Sequence, residues 1–151
     1  MSENNARTDD GLVTARPPER FELVREWVLH DVDHLSGVRR ELLEAVTASD
    51  AGPQRRLDDV PERMILVASE LATNALTHGL PPTTVRLFTD GDDYLLDVAD
   101  HDIGSTPFLA GERPPGAGGF GLQIARRLSQ QVGWYATEHT KHVWAIFPAQ
   151  R

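Results

Sequence analysis

Three side chains able to do acid–base or metal chemistry, Glu70, Asn74 and His78, recur at every fourth residue of Ala68-Ser69-Glu70-Leu71-Ala72-Thr73-Asn74-Ala75-Leu76-Thr77-His78-Gly79. On a helix this spacing stacks them along one margin, beside an apolar stripe of Met64, Val67, Ala68, Leu71 and Ala75. A carboxylate, an amide and an imidazole at the edge of a core need partners, because burying one unpaired costs on the order of 1–3 kcal/mol. An amphipathic helix with a wet polar flank fits the same pattern, so the partners must be sought elsewhere in the chain. In Tyr94-Leu95-Leu96-Asp97-Val98-Ala99-Asp100, strand alternation sets Asp100 on the same face as Leu96 and Val98, a carboxylate at the end of an apolar row. There it suits a donor of fixed geometry, such as the exocyclic amine of a purine, or equally the backbone N–H groups of an Asx turn. Finally, Gly116-Ala117-Gly118-Gly119-Phe120-Gly121-Leu122 runs glycines straight into a helix. Bare backbone and unpaired N–H groups at the positive end of a helix dipole make an anion site, for which phosphate is the natural guest. The stretch is neither a Walker loop nor a Rossmann fingerprint, since no G-x-x-x-x-G-K-[ST] occurs and a loop precedes it instead of a strand.

The elements that must position these groups follow from periodicity and punctuation. Residues 1 to about 20 are polar, interrupted by Pro17-Pro18, and predict a flexible tail. Phe21 to His30 reads as a first strand without an evident pairing partner, and Asp31 or Asp33 can cap a helix over about 33–48 with Leu35, Val38, Leu42 and Val46 on its inner face. Pro61 suits the first turn of a second helix, over about 60–78, which Gly79 and Pro81-Pro82 stop. A hairpin then runs through Thr84–Thr89, a turn at Asp90-Gly91-Asp92-Asp93, and Tyr94–Asp100. The long glycine- and proline-rich loop 101–118 has the length of a functional cover. A third helix over about 119–131 and a closing hairpin, 132–138 with 141–147, complete the chain. This order predicts an α+β fold: a two-layer sandwich, with a mixed, mostly antiparallel sheet and helices on one face.

The 151 residues suit one domain, and the absence of cysteine removes disulfides and thiolate chemistry. No run of about 18 apolar residues and no signal peptide is visible, so neither a membrane span nor export is expected, and the cytoplasm is the expected location. A net charge of −8 repels phosphate backbones and argues against direct nucleic-acid binding, so an anionic ligand must be held locally.

In combination and order, E-L-x-x-N-A-x-x-H-G on a helix, a hairpin ending in D-x-D-x-G, a long loop and G-x-G-L opening a helix resemble the nucleotide-binding domain of the GHKL superfamily, shared by gyrase, histidine kinases and the MutL proteins. The short stand-alone form is similar to the bacterial anti-sigma-factor serine kinases, over about Phe21 to Pro148, and Lys141-His142-Val143-Trp144-Ala145 is similar to their last strand. The resemblance implies a Bergerat ATP-binding fold, with the domain over 21–151 and an ATP lid over about 103–118. It implies that Asn74 coordinates the Mg2+ bridging the phosphates, a role its amide oxygen suits, and that Glu70 is the general base. Asp100 would accept the adenine amine, Gly104 would match the second glycine of the usual D-x-G-x-G, and Gly119, Gly121 and Leu122 would form the phosphate-side G-x-G-L. His78 matches a frequent family position, where it either caps the helix or contacts ligand; Arg113 lies in the lid within reach of phosphate. Two residues depart from the family pattern. Asp102 stands where the first glycine is usual, bringing a like charge near Asp100 that His101 or a cation could neutralise, and His142 replaces a threonine common on the last strand, on the face opposite Val143 and Ala145.

These features imply an ATP- and Mg2+-dependent serine/threonine protein kinase that doubles as an anti-sigma regulatory factor. Its partners would be a sigma factor and a small anti-sigma-factor antagonist protein carrying the acceptor serine, and relatives also suggest a homodimer. A nucleotide-binding or protein-binding regulatory module without transfer activity is the alternative: Glu70 and Asn74 favour the enzyme, Asp102 and His142 the module. A detached histidine-kinase catalytic domain ranks below both, since no phosphoacceptor helix is visible.

Overall fold

The computed structural model describes residues 13–48, 60–104 and 121–148. Six strands form one sheet in the order β1-β5-β6-β4-β3-β2, where β1 is Val13–Thr14, β2 Glu22–Leu29, β3 Thr83–Thr89, β4 Asp93–Asp100, β5 Gln131–Ala136 and β6 Lys141–Pro148. The β1–β5 pair is parallel and every other neighbouring pair is antiparallel, so the sheet is mixed and mostly antiparallel. Helices α1 (Leu35–Ala48), α2 (Val60–His78) and α3 (Gly121–Leu128) accompany it.

Alternation along the strands makes two unequal cores. On one face Trp27, Leu29, Val85, Leu87, Leu96, Val98, Ala145 and Phe147 meet the apolar sides of the helices, including Leu42, Val46, Met64, Val67 and Leu71. Each such large side chain, buried in full, contributes roughly 1.5–3 kcal/mol. Helix α1 is bent onto this face by its entry: Asp31 accepts a hydrogen bond from the Asp33 N–H and caps a 3-10 turn over Val32–His34 that leads into it. The opposite face carries a smaller cluster of Phe21, Leu95, Trp144 and Ile146, flanked by Phe88 and Tyr135. The described helices thus lie on one face, and the α+β sandwich is the observed fold.

The expected tail needs correction from residue 13 onward. Val13–Thr14 pairs with Gly133 and Trp134, the Ala15 carbonyl accepts from Trp144 Nε1 at 2.7 Å, and the Arg16 guanidinium lies 4.5 Å from the centre of the Tyr135 ring. Residues 15–21 then cross the outer face from the β1 edge to the β2 edge, where Phe21 joins the outer cluster. Backbone pairing and aromatic contacts hold this strap, which is why its low hydropathy gave no signal. Residues 1–12 lie outside the described residues. The first strand, which had no evident partner in sequence, is β2; it pairs with β3 as an edge strand, with an irregularity between Leu23 and Arg25. In the β3–β4 turn Asp90 Oδ1 accepts the Asp92 and Asp93 N–H groups, and Gly91 takes φ 96°, a left-handed conformation that glycine adopts without strain.

Candidate functional site

Helix α2 presents the polar margin that its spacing predicts. Met64, Val67, Ala68, Leu71, Ala72 and Ala75 are buried, Glu70 and Asn74 are half-buried at the edge of that stripe, and His78 is exposed in the last turn. The helix ends where the Gly79 N–H donates to the Ala75 carbonyl at 2.9 Å.

That ending is shaped by Asp100. A Cβ on Gly79 would lie 2.5 Å from Asp100 Cγ, closer still to Oδ2, and 2.7 Å from the Ala75 carbonyl oxygen, so the last carboxylate of β4 rests directly on the Cα of Gly79. Gly79 is not a positive-φ glycine, so its requirement is space and not backbone freedom. Helix end and strand end are thereby joined, with the His101 N–H donating to the Leu80 carbonyl at 3.0 Å. Asp100 is 5% exposed and points to the helix side, in the row of Leu96 and Val98.

Of the two roles foreseen for this carboxylate, the Asx turn is observed. Oδ1 accepts the Asp102 N–H at 2.7 Å, the Asx turn, and Asp102 Oδ1 accepts the Gly104 N–H at 3.3 Å in a second such turn. Oδ2 faces Gly79 and stands 3.9 Å from Lys141 Nζ, whose side chain is 11% exposed. Burial pushes the Asp100 carboxyl above its ordinary range, while the Asp102 N–H and the Lys141 charge pull it back. Thr83, fully buried at the start of β3, has a hydroxyl with no partner; the neighbouring Thr84 pairs with Ala99, which places Thr83 level with Asp100.

Lys141 was missed as a site residue. It is the Cα partner of Asp100 across β4 and β6, and its ammonium offsets the Asp100 carboxylate. His101, expected in that role, instead sets its Nδ1 3.2 Å from the Pro82 carbonyl. His142 is also corrected. It lies on the outer face, as its alternation with Val143 and Ala145 requires, but there it is buried with Nδ1 2.8 Å from Asp97 Oδ1 and Nε2 2.8 Å from Thr140 Oγ1. Its ring stacks on Tyr135 at 4.4 Å, and burial, followed by the Asp97 charge, raises the Tyr135 hydroxyl to about 12. His142 therefore does not line the helix-side face.

Of the remaining expected residues, Gly104 is described in the second Asx turn, and Gly121 is the first residue of α3, which packs along α2. Gly119, the side chain of Leu122, Arg113 and the lid beyond Gly104 lie outside the described residues. Of the expected residues, Asp100 is thus brought against Gly79 at the end of α2, the helix that carries Glu70 and Asn74, and α3 packs along that helix. Among the described residues no group of three or more His, Cys, Asp or Glu is arranged to hold a metal ion. Mg2+ bound with a nucleotide commonly takes most of its ligands from phosphate oxygens and water, so one amide oxygen such as that of Asn74 would suffice as protein ligand.

A mostly antiparallel sheet covered on one face by helices, with the last turn of α2 seated on a buried aspartate, defines the chain as an α+β sandwich. Residues 28–147 match the model of the histidine kinase-like ATPase domain, and the chain belongs to that family. No curated protein matches it. Membership implies binding of ATP, with Mg2+ usual in the family, and a regulatory function. No described helix is long and apolar enough to cross a membrane.

Proposed function

We propose that the chain is an ATP-dependent serine/threonine protein kinase that acts on a small anti-sigma-factor antagonist and itself sequesters a sigma factor. The observation that carries this reading is the seating of Asp100 against Gly79, at the end of the helix whose margin bears Glu70 and Asn74, within a chain of the ATPase family. Asp100 would receive the adenine amine, and the Asn74 amide oxygen would be the protein ligand for Mg2+, which when bound supplies charge neutralisation for the phosphates. Gly119, Gly121 and Leu122 would supply backbone N–H groups to the phosphates, and Gly104 would let the chain turn close to the base. Glu70 takes the proton of the attacking serine hydroxyl as its oxygen bonds to the γ-phosphorus and the bond to the bridging oxygen breaks, releasing ADP. Catalysis is then mainly positioning and electrostatics. The cytoplasm is the proposed location and a homodimer the proposed state.

One observation favours the second reading, a regulatory module without transfer. Asp100 is already engaged by the Asp102 N–H and stands beside Lys141, so nucleotide must compete with or share those contacts. Calorimetry with Mg-ATP, followed by labelled phosphoryl transfer to candidate antagonists, separates the two. Glu70→Ala should keep binding and lose transfer, whereas Asn74→Ala should lose both. Wild-type protein that binds no nucleotide at millimolar ATP would end the kinase reading and leave the module.

A further inference from the structure

The Asp100–Lys141 pair is an acceptor and a donor set side by side, on neighbouring strands at one level of the helix-facing surface. Directly opposed residues of an antiparallel pair project to the same face with Cβ atoms about 4.5–5.5 Å apart, and here the charged ends close to 3.9 Å. Oδ1 is held by the Asp102 N–H, the carboxyl also accepts from the Leu80 N–H, and Oδ2 lies between Gly79 and Lys141, so the lone pair left to a ligand is on the Lys141 side. A ligand edge that answers this pair must carry one donor next to one acceptor. Adenine does so, with its exocyclic N6–H beside N1. Guanine reverses both: its O6 would face the carboxylate and its N1–H would face the ammonium, two like-polarity contacts in a poorly hydrated place.

We propose that Lys141 is the specificity-determining residue of the base pocket, donating to adenine N1 while Asp100 accepts from N6, so that the pair selects adenine and rejects guanine. This rests on the nucleotide-binding reading above and adds to it a contact that the glycine and asparagine motifs do not contain. The lysine does more than fill the position of a neutral donor. It holds a charge beside Asp100, favouring the ionised carboxylate that an amine requires, and its ammonium has three N–H donors, so that one can serve the base while another stays with Asp100. The unpartnered Thr83 hydroxyl at the same level shows that the polar character of this end of the sheet extends to β3.

The test uses the full chain and the nucleotides ATP, GTP and 1-deaza-ATP, which keeps the amine and lacks the N1 acceptor. Wild-type protein should bind 1-deaza-ATP roughly ten- to a hundredfold more weakly than ATP, the range for a hydrogen bond to a charged group, and GTP more weakly still. Lys141→Met, close in length and uncharged, should bind ATP and 1-deaza-ATP alike, and Lys141→Gln should recover part of the difference. Melting curves of both variants confirm that they are folded. If wild-type protein binds ATP and 1-deaza-ATP equally well, Lys141 does not read N1 and the proposal falls while nucleotide binding stands. If wild-type protein binds none of the three, the reading beneath it falls as well.

Discussion

Replacing Gly79 by alanine tests the joint on which the site depends. The added methyl would meet Asp100 Cγ at 2.5 Å and the Ala75 carbonyl oxygen at 2.7 Å, a buried carboxylate and a helix backbone, neither of which is the free end of a flexible chain. Either the last turn of α2 opens or Asp100 is pushed off its Asx turn. Overpacking of this kind costs typically about 1–3 kcal/mol, and at roughly 2–4 °C per kcal/mol for a chain of this length the melting temperature should fall by roughly 2–12 °C. Gly37→Ala is the control: it lies in α1 with nothing within 4 Å of the added methyl, and should be neutral or stabilising by about 0.4–1 kcal/mol. Adding Asp100→Ala to Gly79→Ala removes one of the two obstructions and should restore part of the loss, a coupling of about 0.5–3 kcal/mol in a double-mutant cycle. Calorimetric melting supplies the stabilities, and Mg-ATP titration of the folded variant should show affinity reduced at least about tenfold as the acceptor moves. A Gly79→Ala protein that melts and binds like wild type would refute the close approach, and with it the claim that helix end and carboxylate form one unit.

Three further outcomes are expected. Since burial raises the Asp100 carboxyl, the native state holds more protons than the unfolded chain between its ordinary and its raised value; this group's contribution to stability should therefore fall as pH rises through that window. Affinity for ATP should move oppositely, rising with pH through the same window, because the ionised form is the acceptor, and Asp100→Asn should flatten that profile in pH-resolved titrations. On the outer face, His142→Ala leaves the buried Asp97 with the Tyr135 hydroxyl at 3.4 Å; denaturant unfolding should show a loss of about 1–3 kcal/mol, much of it recovered in Asp97→Leu/His142→Leu, with Mg-ATP affinity of the folded protein unchanged. Gly133→Ala would set a methyl 2.6 Å from Trp144 Cζ2 and 3.2 Å from the Val13 carbonyl oxygen, so limited proteolysis should cut the 13–21 strap faster than in wild type.

What the sequence made legible was local. The α2 stripe, its polar margin and its stop at Gly79 follow from a 3.6-residue period and from glycine and proline punctuation, and they stand as read. The inward face of Asp100 follows from alternation with Leu96 and Val98. Lys141 was out of reach for a different reason: its meeting with Asp100 depends on β6 lying beside β4, a pairing between strands separated by the whole loop and α3, and no periodicity within either strand records it. The signal available was indirect, since laying the closing strand antiparallel against Tyr94–Asp100 brings a basic residue opposite the last acid. The strap from Val13 to Phe21 was missed because a two-residue parallel pairing and ring contacts of Arg16 and Arg20 need almost no apolar sequence.

The two acids of Asp97-Val98-Ala99-Asp100 show how such a long-range register is fixed. Three residues apart on a strand, they point to opposite faces, and each meets a basic residue of β6 there: Lys141 directly opposite Asp100, His142 reaching diagonally to Asp97 past Ala99, its own small Cα partner. Sliding β4 against β6 by one residue would exchange faces for every side chain, bringing Asp97 into the helix-side core and Asp100 to the back of the sheet. A buried charge stripped of its partner costs about 3–5 kcal/mol, more than the roughly 1 kcal/mol that one net backbone hydrogen bond returns, so no slipped ladder recovers the loss. An ion pair on one face and a carboxylate–imidazole hydrogen bond on the other therefore lock the height at which β4 ends. That height is what brings Asp100, and not Ala99 or His101, onto the Cα of Gly79.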